Sequence, residues 1–227
     1  ENEVEEDPRA WIVREGDSPF EPTPYADYPN PEAIPVTLYP SVGGRREGGL
    51  ALQPQSGQVA EMFVDNVTFS GTSLARADSS AYRLIYATPE FIEAVHLSGT
   101  PSVNVRLAIN REAANLSVWL VALPWSDQPG VTSIITRGWA DPQNYNSIRE
   151  SEPLVPGRFY DMTFDLQPDD QMIPSGQRLA LMIFSSDREF TLWPEPGTEV
   201  TIDPDGTSIT LPVVGGRPSL TRAFGLE

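Results

Sequence analysis

The chain has 227 residues, no cysteine, one histidine and a formal net charge of −17 at pH 7. The lack of cysteine excludes disulfides and thiol nucleophiles, and one histidine excludes a metal site built on several histidines. The acidic charge would repel the phosphates of a nucleic acid, so we expect no partner of that class.

The chain opens with an acidic stretch, residues 1–8, which is typical of a solvated linker. No basic segment followed by an apolar one stands at the start, and no apolar run approaches the roughly 20 residues that cross a bilayer. We therefore expect no membrane contact. The location is left open between secreted and cytoplasmic, with secretion slightly favoured.

Residues 9–214 are predicted to form one β domain. Proline lacks an amide donor, so the proline-rich segment from Asp17 to Pro40 is expected to be irregular or to lie on an edge. Strands in the first part of the domain are expected at Ala10–Val13, Leu50–Leu52, Val59–Val64, Tyr82–Tyr86, Ala94–Leu97, Val103–Ile109, Leu116–Leu123 and Ser133–Thr136.

Two later segments carry the clearest strand patterns. From Phe159 to Leu166, apolar side chains alternate with more polar ones, which predicts a strand with one face in the core. From Leu179 to Phe184 every residue is apolar, which predicts a central strand that is buried on both faces.

The last part of the domain is expected to contain a hairpin. The turn sequence Asp203-Pro204-Asp205-Gly206 predicts pairing between Val200–Ile202 and Ile209–Leu211, and residues 215–227 are interpreted as a tail. No helical period lasts more than two turns. About ten to twelve short strands separated by proline and glycine predict an all-β sandwich or jelly roll.

Three motifs occur in order in the second half of the chain. Residues 135–142 read I-T-R-G-W-A-D-P, residues 153–160 read P-L-V-P-G-R-F-Y, and residues 168–181 read P-D-D-Q-M-I-P-S-G-Q-R-L-A-L, ahead of a serine pair. Together they resemble the C-terminal domain of the bacterial Xaa-Pro dipeptidyl-peptidase and cocaine-esterase group of serine hydrolases. The resemblance extends from about Pro8 to Val214 and implies a jelly roll of the galactose-binding-like type.

The resemblance also implies a function for the chain. In that family the catalytic serine, aspartate and histidine lie in an upstream α/β-hydrolase domain, and the enzyme releases N-terminal Xaa-Pro dipeptides or cleaves esters. The present chain would then hold no catalytic residue, metal or cofactor. It would pack on the hydrolase domain and stabilise it, and homo-oligomerisation is left open.

A self-contained serine hydrolase is one alternative. The segment from Gly71 to Ala75 imitates a nucleophile elbow around Ser73, and Asp78 and His96 follow in the required order. However, the fifth position is alanine, no helical pattern follows Ser73, and His96 lies inside a predicted strand. We therefore favour a turn and a structural histidine.

Two kinds of loop could hold an ion. The glycine-rich loop 41–49 lacks the following helix that a phosphate cradle requires, so a turn is the better interpretation. Asp169–Asp170 and Asp203–Asp205 could contribute oxygens to a calcium site, but aspartates in turns commonly serve local hydrogen bonds. We predict no metal site.

Trp125, Trp139 and Trp193 are the candidate binding residues, because each lies beside loop-type residues. They are candidates for packing at a domain interface or for stacking against a ligand such as a sugar. Ligand stacking would suit a second alternative, an independent carbohydrate-binding module, which rests on the fold alone. Such a module needs two or three exposed, coplanar aromatic rings.

Overall fold

The regular secondary structure consists mostly of short β-strands. The computed structural model describes residues 7–15, 17–128, 132–193 and 195–226, so residues 1–6 of the acidic lead-in lie outside it. Its strands are β1 Ala10–Ile12, β2 Thr23–Tyr25, β3 Ala33–Ser41, β4 Gly48–Ala51, β5 Glu61–Val64, β6 Leu84–Ala87, β7 Val95–Gly99, β8 Ser102–Ile109, β9 Leu116–Leu123, β10 Ile134–Ala140, β11 Phe159–Asp165, β12 Asp169–Ile173, β13 Arg178–Phe184, β14 Glu199–Ile202 and β15 Ser208–Val214. Its helices are α1 Gly71–Arg76 and α2 Gly216–Ala223, with short 3-10 turns at Pro142–Asn144 and Pro204–Gly206.

The long strands form two sheets that share β3. Sheet I has the strand order β10-β9-β13-β6-β4-β3. In sheet II, β8 pairs with β11 on one edge and with β14 and β15 on the other, while β7 pairs with β12 and β15. The pairing of β3 switches from β15 to β4 along its length, which carries the chain from one sheet to the other. The predicted all-β sandwich is confirmed, and its galactose-binding-like subtype stays a prediction.

The inner core lies between the two sheets and contains side chains from both. Leu181 and Ile183 of β13 belong to it, together with Leu107 of β8 and Leu211 of β15. All four side chains are fully buried. On β11, Tyr160 and Met162 are buried while the alternating Asp161 and Thr163 are exposed, so the predicted one-sided strand is confirmed.

A second apolar cluster covers the outer face of sheet I. This outer cluster consists of Leu74, Ala75, Ile85, Ala87, Trp119, Val121, Leu123, Ala180, Met182 and Phe184. Alternate residues of β13 therefore contribute to the inner core and to the outer cluster, and the prediction of a strand buried on both faces is confirmed. Helix α1, which begins after the cap residue Ser70, covers part of this face with Leu74 and Ala75.

The proline-rich segment combines irregular stretches with strands. It contains β2 and the nine-residue strand β3, although Pro35 and Pro40 lie within β3. Pro35 is tolerated because β3 pairs only with β15 along Ala33–Leu38, so its other side is an edge there. The expectation of an edge position is therefore correct for this part of β3, and residues 17–22 and 26–32 are irregular as expected. Only Tyr39 and Pro40, which pair with β4, depart from the expectation.

The predicted hairpin between β14 and β15 is wrong. Both strands pair with β8 instead, β14 along Leu107–Ile109 and β15 along Ser102–Asn104. The turn at Pro204–Gly206 joins them next to Arg106, whose Nε lies 3.2 Å from Asp203 Oδ2. The sequence identifies the turn correctly. However, the turn leads the chain from one part of β8 to the next and does not fold β15 back onto β14.

The C-terminal segment forms a helix where we expected a tail. Helix α2 buries Leu220 and Ala223, and Phe224 stacks on Phe91 with ring centroids 5.8 Å apart. Eight residues provide too few periods for the helical pattern to be recognised in the sequence. Within the described residues, neither helix is long and apolar enough to cross a bilayer.

Candidate functional site

The two residues of the hydrolase alternative lie on different elements with different partners. Ser73 lies on α1 over sheet I, so the expectation of a turn without a helix at this position is wrong. Its hydroxyl donates to the backbone oxygen of Ser70 at 2.8 Å. His96 lies on β7 of sheet II, where its Nε2 is 2.9 Å from Asp170 Oδ1. The sequence order of an elbow and a histidine is therefore not matched by a nucleophile and base in contact.

His96 belongs to a polar cluster formed by Arg14, Tyr25, His96 and Asp170. We call this cluster the ribbon anchor, because it holds the two-stranded ribbon of β1 and β2. The Tyr25 hydroxyl donates to Asp170 Oδ1 at 3.1 Å and lies 3.3 Å from His96 Nε2. Arg14 Nε donates to the Tyr25 oxygen at 3.1 Å and lies 3.4 Å from Asp170 Oδ1. The cluster fastens β2 to the strands β7 and β12.

The charges of the ribbon anchor suit a structural role. Burial alone would raise the pKa of Asp170, but hydrogen bonds led by that from His96 hold its pKa below the usual value. The pKa of the Tyr25 hydroxyl is raised, chiefly by burial. Asp170 is thus an ionised acceptor that binds neighbouring side chains and is not poised for proton transfer at neutral pH.

Asp169 has a different environment from its neighbour. Burial raises its pKa to about 6, and its Oδ2 atom has no hydrogen-bond partner among the described residues. A calcium site at Asp169–Asp170 is the interpretation that the sequence disfavours. In the described part of the chain, no group of three or more histidine, aspartate or glutamate side chains is arranged to hold a metal ion.

The glycine-rich loop binds an internal carboxylate. The amides of Gly43 and Gly44 both donate to Glu61 Oε1 at 3.0 Å, and the Tyr86 hydroxyl donates to Glu61 Oε2 at 3.0 Å. Backbone amides in such a loop can bind an anion. Glu61 already occupies that position, which agrees with the prediction of a turn rather than a phosphate site.

The three candidate tryptophans do not form one platform. Trp125 follows the end of β9 and packs against the outer cluster, whereas Trp139 pairs with Ser117 at the start of β9. Leu123 is six residues further along β9 than Ser117, which corresponds to about 20 Å. Trp193, 60% exposed, lies in the segment that follows β13.

Trp139 instead belongs to an aromatic cluster that the sequence did not reveal. Its ring lies 5.1 Å from that of Phe190, and its Nε1 donates to Asp187 Oδ2 at 3.1 Å. The guanidinium of Arg137 lies 4.7 Å from the Phe190 ring centroid and 5.4 Å from that of Trp119. Arg137 and Trp139 are part of the first motif, and Asp187 directly follows the serine pair, so the motifs meet in space here.

Comparison with known proteins points to one family. Residues 2–221 match the family model described as "X-Pro dipeptidyl-peptidase C-terminal non-catalytic domain". A protein of Rhodopirellula baltica, provisionally named a Xaa-Pro dipeptidyl-peptidase, is 56% identical over 95% of this chain and 35% of its own length. A Bacillus cereus protein with the same provisional name is 32% identical over 83% of this chain and 32% of its own length.

A solved structure supports the fold. The aminopeptidase from a marine sediment Thaumarchaeota archaeon matches 91% of this chain and 41% of its own chain, with a TM-score of 0.71 and 17% identity. The chain thus spans about a third of the length of the curated relatives that it matches. The match over nearly all of its residues shows that the chain belongs to the family of X-Pro dipeptidyl-peptidase C-terminal non-catalytic domains.

Proposed function

We propose that this domain packs on an α/β-hydrolase domain and stabilises it, in a serine exopeptidase that releases N-terminal Xaa-Pro dipeptides. One observation carries the proposal: the chain matches a non-catalytic C-terminal domain over residues 2–221 and spans only about a third of its relatives. On this proposal the bond-breaking residues lie in the remaining two thirds.

The geometry of the chain supports a non-catalytic role. Its single histidine contacts Tyr25 and Asp170, and Ser73 is bonded to its own helix turn. A nucleophile needs a base within hydrogen-bond reach, and the described residues do not bring these two groups together. Trp125, Trp139 and Trp193 remain candidates for the domain contact or for ligand stacking.

The carbohydrate-binding alternative has less support. A sugar platform needs neighbouring exposed rings, and the strand register separates Trp125 from Trp139 along β9. Trp139 also uses its indole N–H internally, with Asp187. Binding to a glycan array, lost when Trp193 is replaced by serine, would favour the alternative.

A chimera tests the proposed function. The matching third of the Rhodopirellula baltica relative is replaced by this chain, and a second protein lacks that third altogether. We expect the chimera to cleave an Ala-Pro chromogenic amide and to unfold at a temperature about 10 °C higher than the truncated protein. The 227-residue chain alone should give no turnover. Equal activity and stability of the chimera and the truncated protein would contradict the proposal.

A further inference from the structure

The N-terminal ribbon is a small sheet of its own. Strands β1 and β2 pair with each other through only three residue pairs, in a sheet separate from the large one. An isolated two-stranded ribbon of this size is marginally stable in water. Its order therefore depends on what packs against its two faces.

The inner face of the ribbon is held by the domain itself. Tyr25 is 6% exposed and belongs to the ribbon anchor, and Ile12 is half-buried on the same face. The backbone amide of Glu15 also donates to the backbone oxygen of Asp170 at 3.0 Å, which ties the segment after β1 to β12. This face needs no further partner.

The outer face of the ribbon is apolar and uncovered. Trp11 is 56% exposed, Val13 is 45% exposed, and Pro24, which pairs with Trp11, is also exposed. Phe20, in the connection between the strands, is 89% exposed. A sheet with one face in water normally carries polar residues on that face. An apolar outer face is instead typical of a surface that another protein surface covers.

Chain connectivity indicates what covers this face. The family model describes a C-terminal domain, so on the proposed function the other two thirds of the protein precede this chain. The matching C-terminal domain already begins at residue 2, so in the whole protein strand β1 follows the preceding domain closely along the chain. The other exposed apolar residues Phe190, Leu192 and Trp193 come much later in the sequence, so the chain does not hold them near that domain in this way.

We propose that the outward face of the β1–β2 ribbon, formed by Trp11, Val13 and Pro24, is the surface that docks on the preceding catalytic domain. This inference rests on the proposed function and adds the place of contact. The partner surface is an apolar patch on a folded domain of the same polypeptide. Docking buries Trp11 and so completes the packing of the ribbon on both faces.

Hydroxyl-radical footprinting of the tryptophan side chains tests the inference. Trp11 and Trp193 have similar exposures, 56% and 60%, so they should oxidise at similar rates in the 227-residue chain. In the chimera described above, we expect the rate at Trp11 to fall about five-fold, because side chains at the centre of an interface lose their solvent. The rate at Trp193, the rival candidate for the domain contact, should stay unchanged.

The outcomes separate this inference from the proposed function. Protection of Trp193 without Trp11 would overturn the docking face and leave the proposed function intact. Protection of neither residue, in a chimera no more stable than the truncated protein, would overturn both. Protection of Trp11 in the isolated chain as its concentration rises would assign the face to a second copy and overturn the inference.

A double variant gives a second measurement. Trp11→Ser with Val13→Ser should lower the melting temperature of the chimera by several degrees and leave that of the isolated chain unchanged. Ile148→Ser, at a side chain that is 91% exposed, is the control and should change neither. An equal fall in both proteins would mean that Trp11 and Val13 stabilise only the ribbon, which would overturn the proposal.

Discussion

The indole Nε1 of Trp139 donates to Asp187 Oδ2 at 3.1 Å, although the two residues lie 48 positions apart in the sequence. The same oxygen accepts from Trp119 Nε1 at 3.0 Å. Asp187 is 1% exposed, so its carboxylate ties β10 and β9 to the segment after β13. Two indole N–H groups, one on β9 and one on β10, therefore depend on one buried acceptor.

Replacing Asp187 with alanine should destabilise the domain by about 2–4 kcal/mol, because it leaves two indole donors without their acceptor. Urea unfolding measured by tryptophan fluorescence gives the change in free energy. Asp127→Ala is the matched control, since Asp127 accepts from Trp125 Nε1 at 3.2 Å but is exposed. The control should cost less than about 0.5 kcal/mol. Equal losses in both variants would contradict the role assigned to Asp187.

The contacts within this cluster could not be predicted from the sequence. The motif containing Arg137 and Trp139 and the serine pair before Asp187 were both recognised as marks of the family. Their contact depends on two strand registers, β10 on β9 and β9 on β13, which no local pattern specifies. The residues of the cluster could therefore be noticed individually, but their association could not be predicted.

Arg83 is a buried cation that holds the connections around α1. It is 1% exposed and donates to the backbone oxygens of Gly44, Leu74 and Ala77, at 2.7, 3.2 and 2.6 Å. Arg83→Met fills a similar volume but leaves these carbonyls unsatisfied, and we expect a loss of about 3–5 kcal/mol. Thermal and urea unfolding should both record it.

A surface arginine provides the comparison for Arg83. Arg222 lies 3.8 Å from Glu93 and is 45% exposed, so Arg222→Met should cost less than about 1 kcal/mol. A small effect of Arg83→Met, within the range of this control, would show that water replaces the lost donors.

The strand patterns predicted most of the sandwich, and the failures have physical causes. Alternation along β11 and the continuous apolar run of β13 are sufficient to predict these two strands, because each pattern indicates directly which faces are buried. β12 was missed since Asp169, Asp170 and Gln171 look like a loop, although β12 pairs with β7 throughout. Asp170 is buried there because its Oδ1 atom binds the ribbon anchor, a tertiary contact that a sequence pattern cannot show.

Gly71 offers a prediction whose sign is opposite to helix propensity. Alanine normally stabilises a helix relative to glycine by roughly 0.5–1 kcal/mol. At Gly71, however, an added Cβ would lie 2.3 Å from the buried ring of Trp119. We therefore expect Gly71→Ala to destabilise the domain by about 1–3 kcal/mol through overpacking.

The control for Gly71 lies on the same helix. Ser73 is exposed and its hydroxyl donates only to the Ser70 backbone oxygen, so Ser73→Ala should change stability by less than about 0.5 kcal/mol. Near-UV circular dichroism would report the displacement of Trp119 in the glycine variant. A stabilised Gly71→Ala protein with an unchanged spectrum would contradict the close packing of α1 on β9.

The raised pKa of Asp169 predicts that the stability of the domain falls as its carboxyl group ionises. Its folded pKa, about 6, exceeds the unfolded value of 3.8, so the ionised form is disfavoured in the fold. The penalty is absent below the unfolded pKa and grows as the pH rises through 6.

Asp169→Asn removes the charge at constant shape. We expect the variant to be more stable than the parent by about 1–2 kcal/mol at pH 8, a value reduced for partial exposure, and equally stable near pH 3. Urea midpoints at the two pH values measure the difference, with the exposed Asp165→Asn as control. A gain of the same size at both pH values would show that burial does not raise the pKa of Asp169.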